Sequence, residues 1–187
     1  GIICSICPRR CGAERTETEG HGSCRMPAAP VVARAALHPW EEPVLCGNRG
    51  AGTVFFSGCN LGCVYCQNHA ISRGNFGRPV TSARLREIFL DLIAQGGATI
   101  DLVTPTHFVP LILPALDPPL PVPVVYNCGG YESVETLRQL DAFAAEQGYC
   151  PDFSDTRFHH EIYLGDPRRT APEKLKTVLR HPIRKIE

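Results

Sequence analysis

The chain has 187 residues, enough for one domain with a proper core. Its 19 basic and 19 acidic side chains cancel, so no net field points to nucleic acid or to an anionic membrane. No apolar run reaches the roughly eighteen residues of a membrane span, and a soluble, cytoplasmic protein is expected. The start, Gly1-Ile2-Ile3-Cys4, is neither a signal peptide nor an initiator Met, and reads as the inside of a longer chain. Ten cysteines then need a reason. In a reducing compartment clustered thiols bind metal or do chemistry more often than they form disulfides.

The first cluster opens the chain: "CSICPRRCGAERTETEGHGSC" holds Cys4, Cys7, Cys11 and Cys24. Four thiols in so short a stretch suit a tetrahedral zinc ion or an auxiliary iron–sulfur cluster, and the spacing does not choose between them. His21 reads as a surface histidine. "HPWEEP", from His38 to Pro43, reads as a proline-bounded turn carrying the one tryptophan.

Thr53 to Phe56 is predicted as a short buried strand. It runs directly into "SGCNLGCVYCQN", where Cys59, Cys63 and Cys66 share one loop. A structural zinc site wants four protein ligands, and this loop offers three. Three thiolates on a four-iron cluster leave one iron free for another ligand. Gly58 and Gly62 allow the backbone to wrap closely, and Tyr65 is placed to cover a bound group.

Ser82 is predicted to cap a helix whose apolar residues Leu85, Ile88, Phe89, Leu92 and Ile93 keep helical spacing until Gly96-Gly97. Ile100 to Val103 reads as a second strand and Val122 to Tyr126 as a third, with a short helix at Leu111 to Leu116 between them despite the prolines. Ser133 is predicted to cap a helix through Leu137 and Leu140 to Gly148. Strands alternating with helices imply a parallel sheet, with chemistry at the C-terminal strand ends. The cysteine loop, "TPTHF" and "NCGGY" each follow a strand, so they are expected around one mouth.

These residues carry a resemblance. Cys59-x-x-x-Cys63-x-Tyr65-Cys66 resembles the cluster motif of radical S-adenosylmethionine (SAM) enzymes. "HPWEEPVLCGNRGAGTVFFSGCNLGCVYCQN", "DLVTPTHFVP" and "PVVYNCGGYESVETLRQLD" extend the likeness, over about residues 1 to 141, to the branch related to pyruvate formate-lyase activating enzymes. The resemblance implies an α/β fold, an incomplete parallel (β/α) barrel of the radical SAM type behind an N-terminal cysteine-rich segment. It implies a [4Fe–4S] cluster on Cys59, Cys63 and Cys66, SAM on the open iron, and a reductant such as flavodoxin or ferredoxin. The implied reaction is SAM cleavage and hydrogen abstraction, with a glycyl-radical enzyme as a candidate substrate. Many relatives carry Gly-Gly-Glu-Pro after the second strand; here Thr104-Pro105-Thr106-His107 stands instead, without the carboxylate. Tyr65, Thr104, Thr106, His107, Asn127 and Gly129 are the cofactor-binding candidates, with Gly130 beside them. Cys128 is either a reactive thiol or a small buried apolar residue.

After about residue 141 the likeness stops. "HHEIYLGDPRRTAPEKLKTVLRHP" resembles the C-terminal end of GyrI-like small-molecule-binding domains. It is predicted as a strand from His160 to Leu164, a turn at Gly165-Asp166-Pro167, and a helix with a Thr170/Glu173 capping box and Leu175, Val178 and Leu179 inside. Glu161 is its candidate pocket carboxylate. The basic excess over 168–187 reads as a solvated face. The expected organisation is therefore a metal-binding segment over 1–50, a partial radical SAM core over 51–141 and a tail over 142–187. Either the tail supplies a fourth strand to the open sheet, or two unrelated fragments are fused, the account preferred on sequence.

Overall fold

A computed structural model describes residues 2–152, 160–163, 177–180 and 183–186. By packing, the chain divides into two compact units, the first comprising 1–62 and 68–133 and the second 63–67 and 134–187.

In the first unit, β1 (Ile2–Ile3) pairs antiparallel with β2 (Glu14–Arg15) and encloses the loop bearing Cys4, Cys7 and Cys11. β3 (Val31–His38) and the short helix α1 (Pro43–Cys46) lead to β4 (Ala51–Phe56). Helix α2 (His69–Gly74), β5 (Arg78–Pro79) and helix α3 (Ser82–Ala94) come next. Then follow β6 (Ile100–Val103), helix α4 (Val109–Leu116) and β7 (Val124–Asn127). The main sheet is open and mixed, in the order β5-β3-β4-β6-β7. Its β4, β6 and β7 are parallel to one another, as the strand–helix alternation predicts, whereas β3 runs antiparallel to both β4 and β5. The fold is thus α/β behind a cysteine-rich N-terminus. The sequence reading missed β3, which adds an antiparallel strand where a purely parallel sheet was expected.

The core forms where apolar spacing is regular. Leu85, Phe89 and Leu92 point one stripe of α3 inward, towards Val54, Phe56, Ile100 and Leu102, all buried. Gly52 lets α3 approach β4, since an added Cβ would meet Leu92 and Ile100 side-chain atoms at 3.0 Å. The cap of α3 is Thr81, whose hydroxyl accepts from Arg84 N–H. Ser82, predicted for that role, already lies inside the helix and donates to the Leu111 carbonyl at 2.7 Å. α4 carries Pro110 in its first turn, where no intrahelical N–H is needed, and Pro114 further inside.

The second unit contains helix α5 (Val134–Glu146) and β8 (Tyr149–Pro151), with β9 (His160–Tyr163), β10 (Thr177–Arg180) and β11 (Ile183–Lys185). β8 pairs with β11 and β9 with β10, each antiparallel. One expectation for the tail is corrected. Val178 and Leu179, assigned to a helix, lie in strand β10, paired with Ile162 and Glu161. Thr177 and Val178 are β-branched, and the waiting edge of β9 outweighs their helical spacing. The tail also adds no strand to the five-stranded sheet among the described residues. The Gly165-Asp166-Pro167 turn and the Thr170/Glu173 box lie outside the described residues, as does the pocket role of the Glu161 side chain. In α5, Leu137 is 46% exposed. No helix among the described residues is long and apolar enough to cross a membrane.

Replacing a fully buried ring on α3 tests this packing. Phe89→Ala should lose about 3–5 kcal/mol of stability, and Leu90→Ala, on the exposed side, less than about 0.5 kcal/mol. Urea unfolding measures both, and equal losses would contradict the assigned inner face.

Candidate metal centre

The parallel register brings three strand ends level. Phe55 lies opposite Val103, and Val103 opposite Asn127, so the segments after β4, β6 and β7 leave from one edge of the sheet. The expected shared mouth is thus present for the residues of the first unit.

The cysteine loop leaves β4 through Ser57 and Gly58. Gly58 has φ +75°, and an added Cβ would lie 2.3 Å from Met26 Cγ and 2.7 Å from the Cys24 carbonyl oxygen. Only glycine fits there. Other segments then hold the loop in place. His107 Nε2 lies 2.7 Å from the Ser57 carbonyl, and Gly58 N–H donates to Ile71. Arg9 donates to the carbonyls of Asn60 and Leu61, each at 2.8 Å. The Asn60 amide donates to Tyr131, beyond β7, and the Arg9 guanidinium lies 5.7 Å from the Tyr131 ring. Arg73 occupies the space beside Gly62, where a side chain would collide with it.

Cys59, in the first unit, and Cys63 and Cys66, in the second, are all half-buried. Cys59 Sγ accepts from Leu61 N–H, and Cys66 N–H donates to the Cys63 carbonyl. Between them Val64 and Tyr65 are exposed, at 96% and 65%. Among the described residues no three His, Cys, Asp or Glu side chains converge closely enough to hold a metal ion. The donor chemistry fits an iron–sulfur cluster none the less, because soft thiols on a glycine-hinged loop are what such a cluster takes.

Thr106 and His107, cofactor candidates on sequence, are both buried. Thr106 donates to Glu132 at 2.5 Å. His107 is driven to about 4 by burial, so at neutral pH it is uncharged and its Nε2–H donates to Ser57. Its Nδ1 has no hydrogen-bond partner among the described residues. Thr104 sits at the turn with φ +60°, and Asn127 and Gly129 are exposed. Gly129 packs on Leu61 of the cysteine loop, an added Cβ meeting it at 3.1 Å. For Cys128 the alternatives now divide. Burial and the Glu132 charge push its thiol up to about 12, which keeps it protonated and unreactive at neutral pH.

The N-terminal group is built differently. Cys4, Cys7 and Cys24 are buried and Cys11 is exposed. Backbone N–H groups of Ala13 and Ser23 hold the Cys11 thiol below its ordinary range, while burial pushes Cys24 up. Among them lies Arg15, 4% exposed, which the sequence reading passed over. It donates to the carbonyls of Met26, Pro27 and His107, and its Nη1 is 3.7 Å from Cys4 Sγ. Its position inside the cysteine box was the available signal. Asp101, also missed, is fully buried on β6, and burial together with the Glu41 charge raises it to about 7.

Residues 46–104, which include all three loop cysteines, match the family model of the 4Fe-4S single cluster domain. This supports a [4Fe–4S]-binding protein. An uncharacterized protein of Methanocaldococcus jannaschii is 40% identical over 77 residues, 41% of this chain and 21% of that protein. The chain therefore spans about a fifth of that relative's length. No solved structure matches the chain.

The two displaced titrations oppose each other. Between pH 6.5 and about 4 the unfolded chain protonates His107 and the folded chain does not, so stability rises with pH in that window. From 3.8 to about 7 the folded chain retains an Asp101 proton that the unfolded chain has lost, so stability falls as pH rises. His107→Gln should leave stability decreasing from pH 4 to 7, and Asp101→Asn should leave it increasing. Urea unfolding of the apo-protein across that range separates them, and parallel profiles would refute the assignment.

Proposed function

We propose that the chain is a radical SAM iron–sulfur protein, related to the pyruvate formate-lyase activating enzymes, in which Cys59, Cys63 and Cys66 hold a [4Fe–4S] cluster with one iron left for SAM. The observation that carries this reading is a three-thiol loop at the C-terminal end of β4, inside the segment that matches a single-cluster 4Fe-4S family model. When bound and reduced, the cluster would supply the electron that cleaves SAM to methionine and a 5′-deoxyadenosyl radical, which takes a hydrogen atom from the substrate. The expected partners are a low-potential donor of the flavodoxin or ferredoxin kind and a protein substrate of the glycyl-radical type.

The chain's own residues have positioning roles in this scheme. His107 and Arg9 fix the loop backbone on either side of Cys59, at Ser57 and at Asn60 and Leu61. Exposed Tyr65 covers the bound group, and the exposed Asn127 side chain and Gly129 backbone are available to SAM. Thr104, at the turn after β6, offers a hydroxyl to the SAM amino or carboxylate group in place of the missing Glu. Thr106 and His107 shape this edge from beneath. β4, β6 and β7 correspond to part of a (β/α) barrel. The tail contributes no activity to the proposal.

Anaerobic reconstitution with iron and sulfide should load about four of each at the loop. EPR of the reduced protein should show a [4Fe–4S] signal that changes when SAM is added and is lost in Cys63→Ala. A cluster indifferent to SAM would leave a non-catalytic iron–sulfur protein, and no cluster would end the proposal.

A further inference from the structure

We propose that Cys4, Cys7, Cys11 and Cys24 bind a single zinc ion and that the buried Arg15 guanidinium is the counter-charge of this four-thiolate site. Three independent observations converge on it.

The first is an electrostatic imbalance. Arg15 is buried, and its N–H groups reach the carbonyls of Met26, Pro27 and His107. Those carbonyls satisfy hydrogen bonds without neutralising the charge. No carboxylate lies within ion-pair distance of Arg15 among the described residues. A buried cation left without a counter-ion is expensive. The acidic groups beside it are thiols, with Cys4 Sγ at 3.7 Å from Nη1. Four thiolates around a divalent ion carry a net charge of about −2, which supplies the missing anion.

The second is strain. The cysteines are carried on two tight turns, closed by Arg10 N–H to the Cys7 carbonyl at 3.0 Å and Arg25 N–H to the Gly22 carbonyl at 2.8 Å. Arg10 and Arg25 both adopt left-handed backbone, at φ 41° and 59°, where a non-glycine residue is costly. Such strain has no packing reward here, since both arginines are exposed.

The third is room. Gly22 lies so near Cys11 that an added Cβ would sit 3.0 Å from its sulfur. Cys4, Cys7 and Cys24 are buried. The little space beside the Cys11 sulfur suits one tetrahedral ion better than a four-iron cube. Among the described residues the four sulfurs do not already converge, so the side chains close on the ion as it binds, coupling binding to local folding.

The experiment uses the full chain with Cys59, Cys63 and Cys66 all changed to Ala, which removes the proposed cluster site. Elemental analysis should find about one zinc ion per chain in this protein, and none after Cys4→Ser with Cys24→Ser. Co²⁺ added to the metal-stripped triple variant should give the visible spectrum of tetrahedral four-thiolate cobalt. In chelator competition Arg15→Met should weaken zinc at least about tenfold, and Arg15→Lys should recover most of that loss. Iron and sulfide in place of zinc, no metal at all, or unchanged affinity in Arg15→Met would each overturn the proposal. Because the loop cysteines are absent, these outcomes are independent of whether the intact chain binds a [4Fe–4S] cluster.

Discussion

The hydrogen bond from the His107 imidazole to the Ser57 carbonyl determines where the chain leaves the sheet and becomes the cysteine loop. β4 and β6 run parallel and end level, so the turn after β6 arrives beside the end of β4. A side chain there can reach backwards to the first carbonyl beyond the neighbouring strand. Burial keeps the ring neutral, which gives Nε2 a proton to donate without burying a second cation beside Arg15. A net contribution of about 1 kcal/mol is usual for such a bond. Its larger effect is geometric, because it fixes the backbone two residues before Cys59.

Arg15 extends that constraint to the N-terminus. One guanidinium touches the His107 carbonyl, the Met26–Pro27 backbone and Cys4, and it lies 5.5 Å from the Phe108 ring. Its planar fork can serve several carbonyls at once, which a lysine ammonium could not match. The N-terminal box, the turn after β6 and the root of the cysteine loop are therefore one hydrogen-bonded assembly within the first unit.

How much of this the sequence discloses depends on whether the signal is local. β4, α3 and β6 are legible because an apolar run or a helical stripe is written in consecutive residues. Cys59, Cys63 and Cys66 are legible as a group because they stand close together in the sequence. β3 is hidden: "VVARAALH" has two valines and then small residues, so its strand identity comes from the partners on either side. β10 is hidden for the same reason, its helical spacing losing to the edge of β9. His107 and Thr106 are visible in the sequence as polar residues at a strand end, but their burial is a tertiary fact. Arg15 was one arginine among many until folding put it between thiols.

The join between the two cysteine groups is where the chain is least tolerant. Gly58 holds a left-handed conformation with Met26 and the Cys24 carbonyl closer than any Cβ permits. Arg73 lies over Gly62 and reaches the Ser23 carbonyl, so a second contact ties the loop to the Cys24 turn. Each cysteine group taken alone needs only thiols at suitable spacing. Holding Cys24 against the root of the Cys59 loop requires a glycine, a neutral buried histidine and a buried arginine, none of which is a metal ligand in either proposed site. Those residues make the shape of the cysteine loop depend on the order of the N-terminal box. Two side chains, Arg15 and His107, join Cys4 to Ser57 by hydrogen bonds without passing through the sheet.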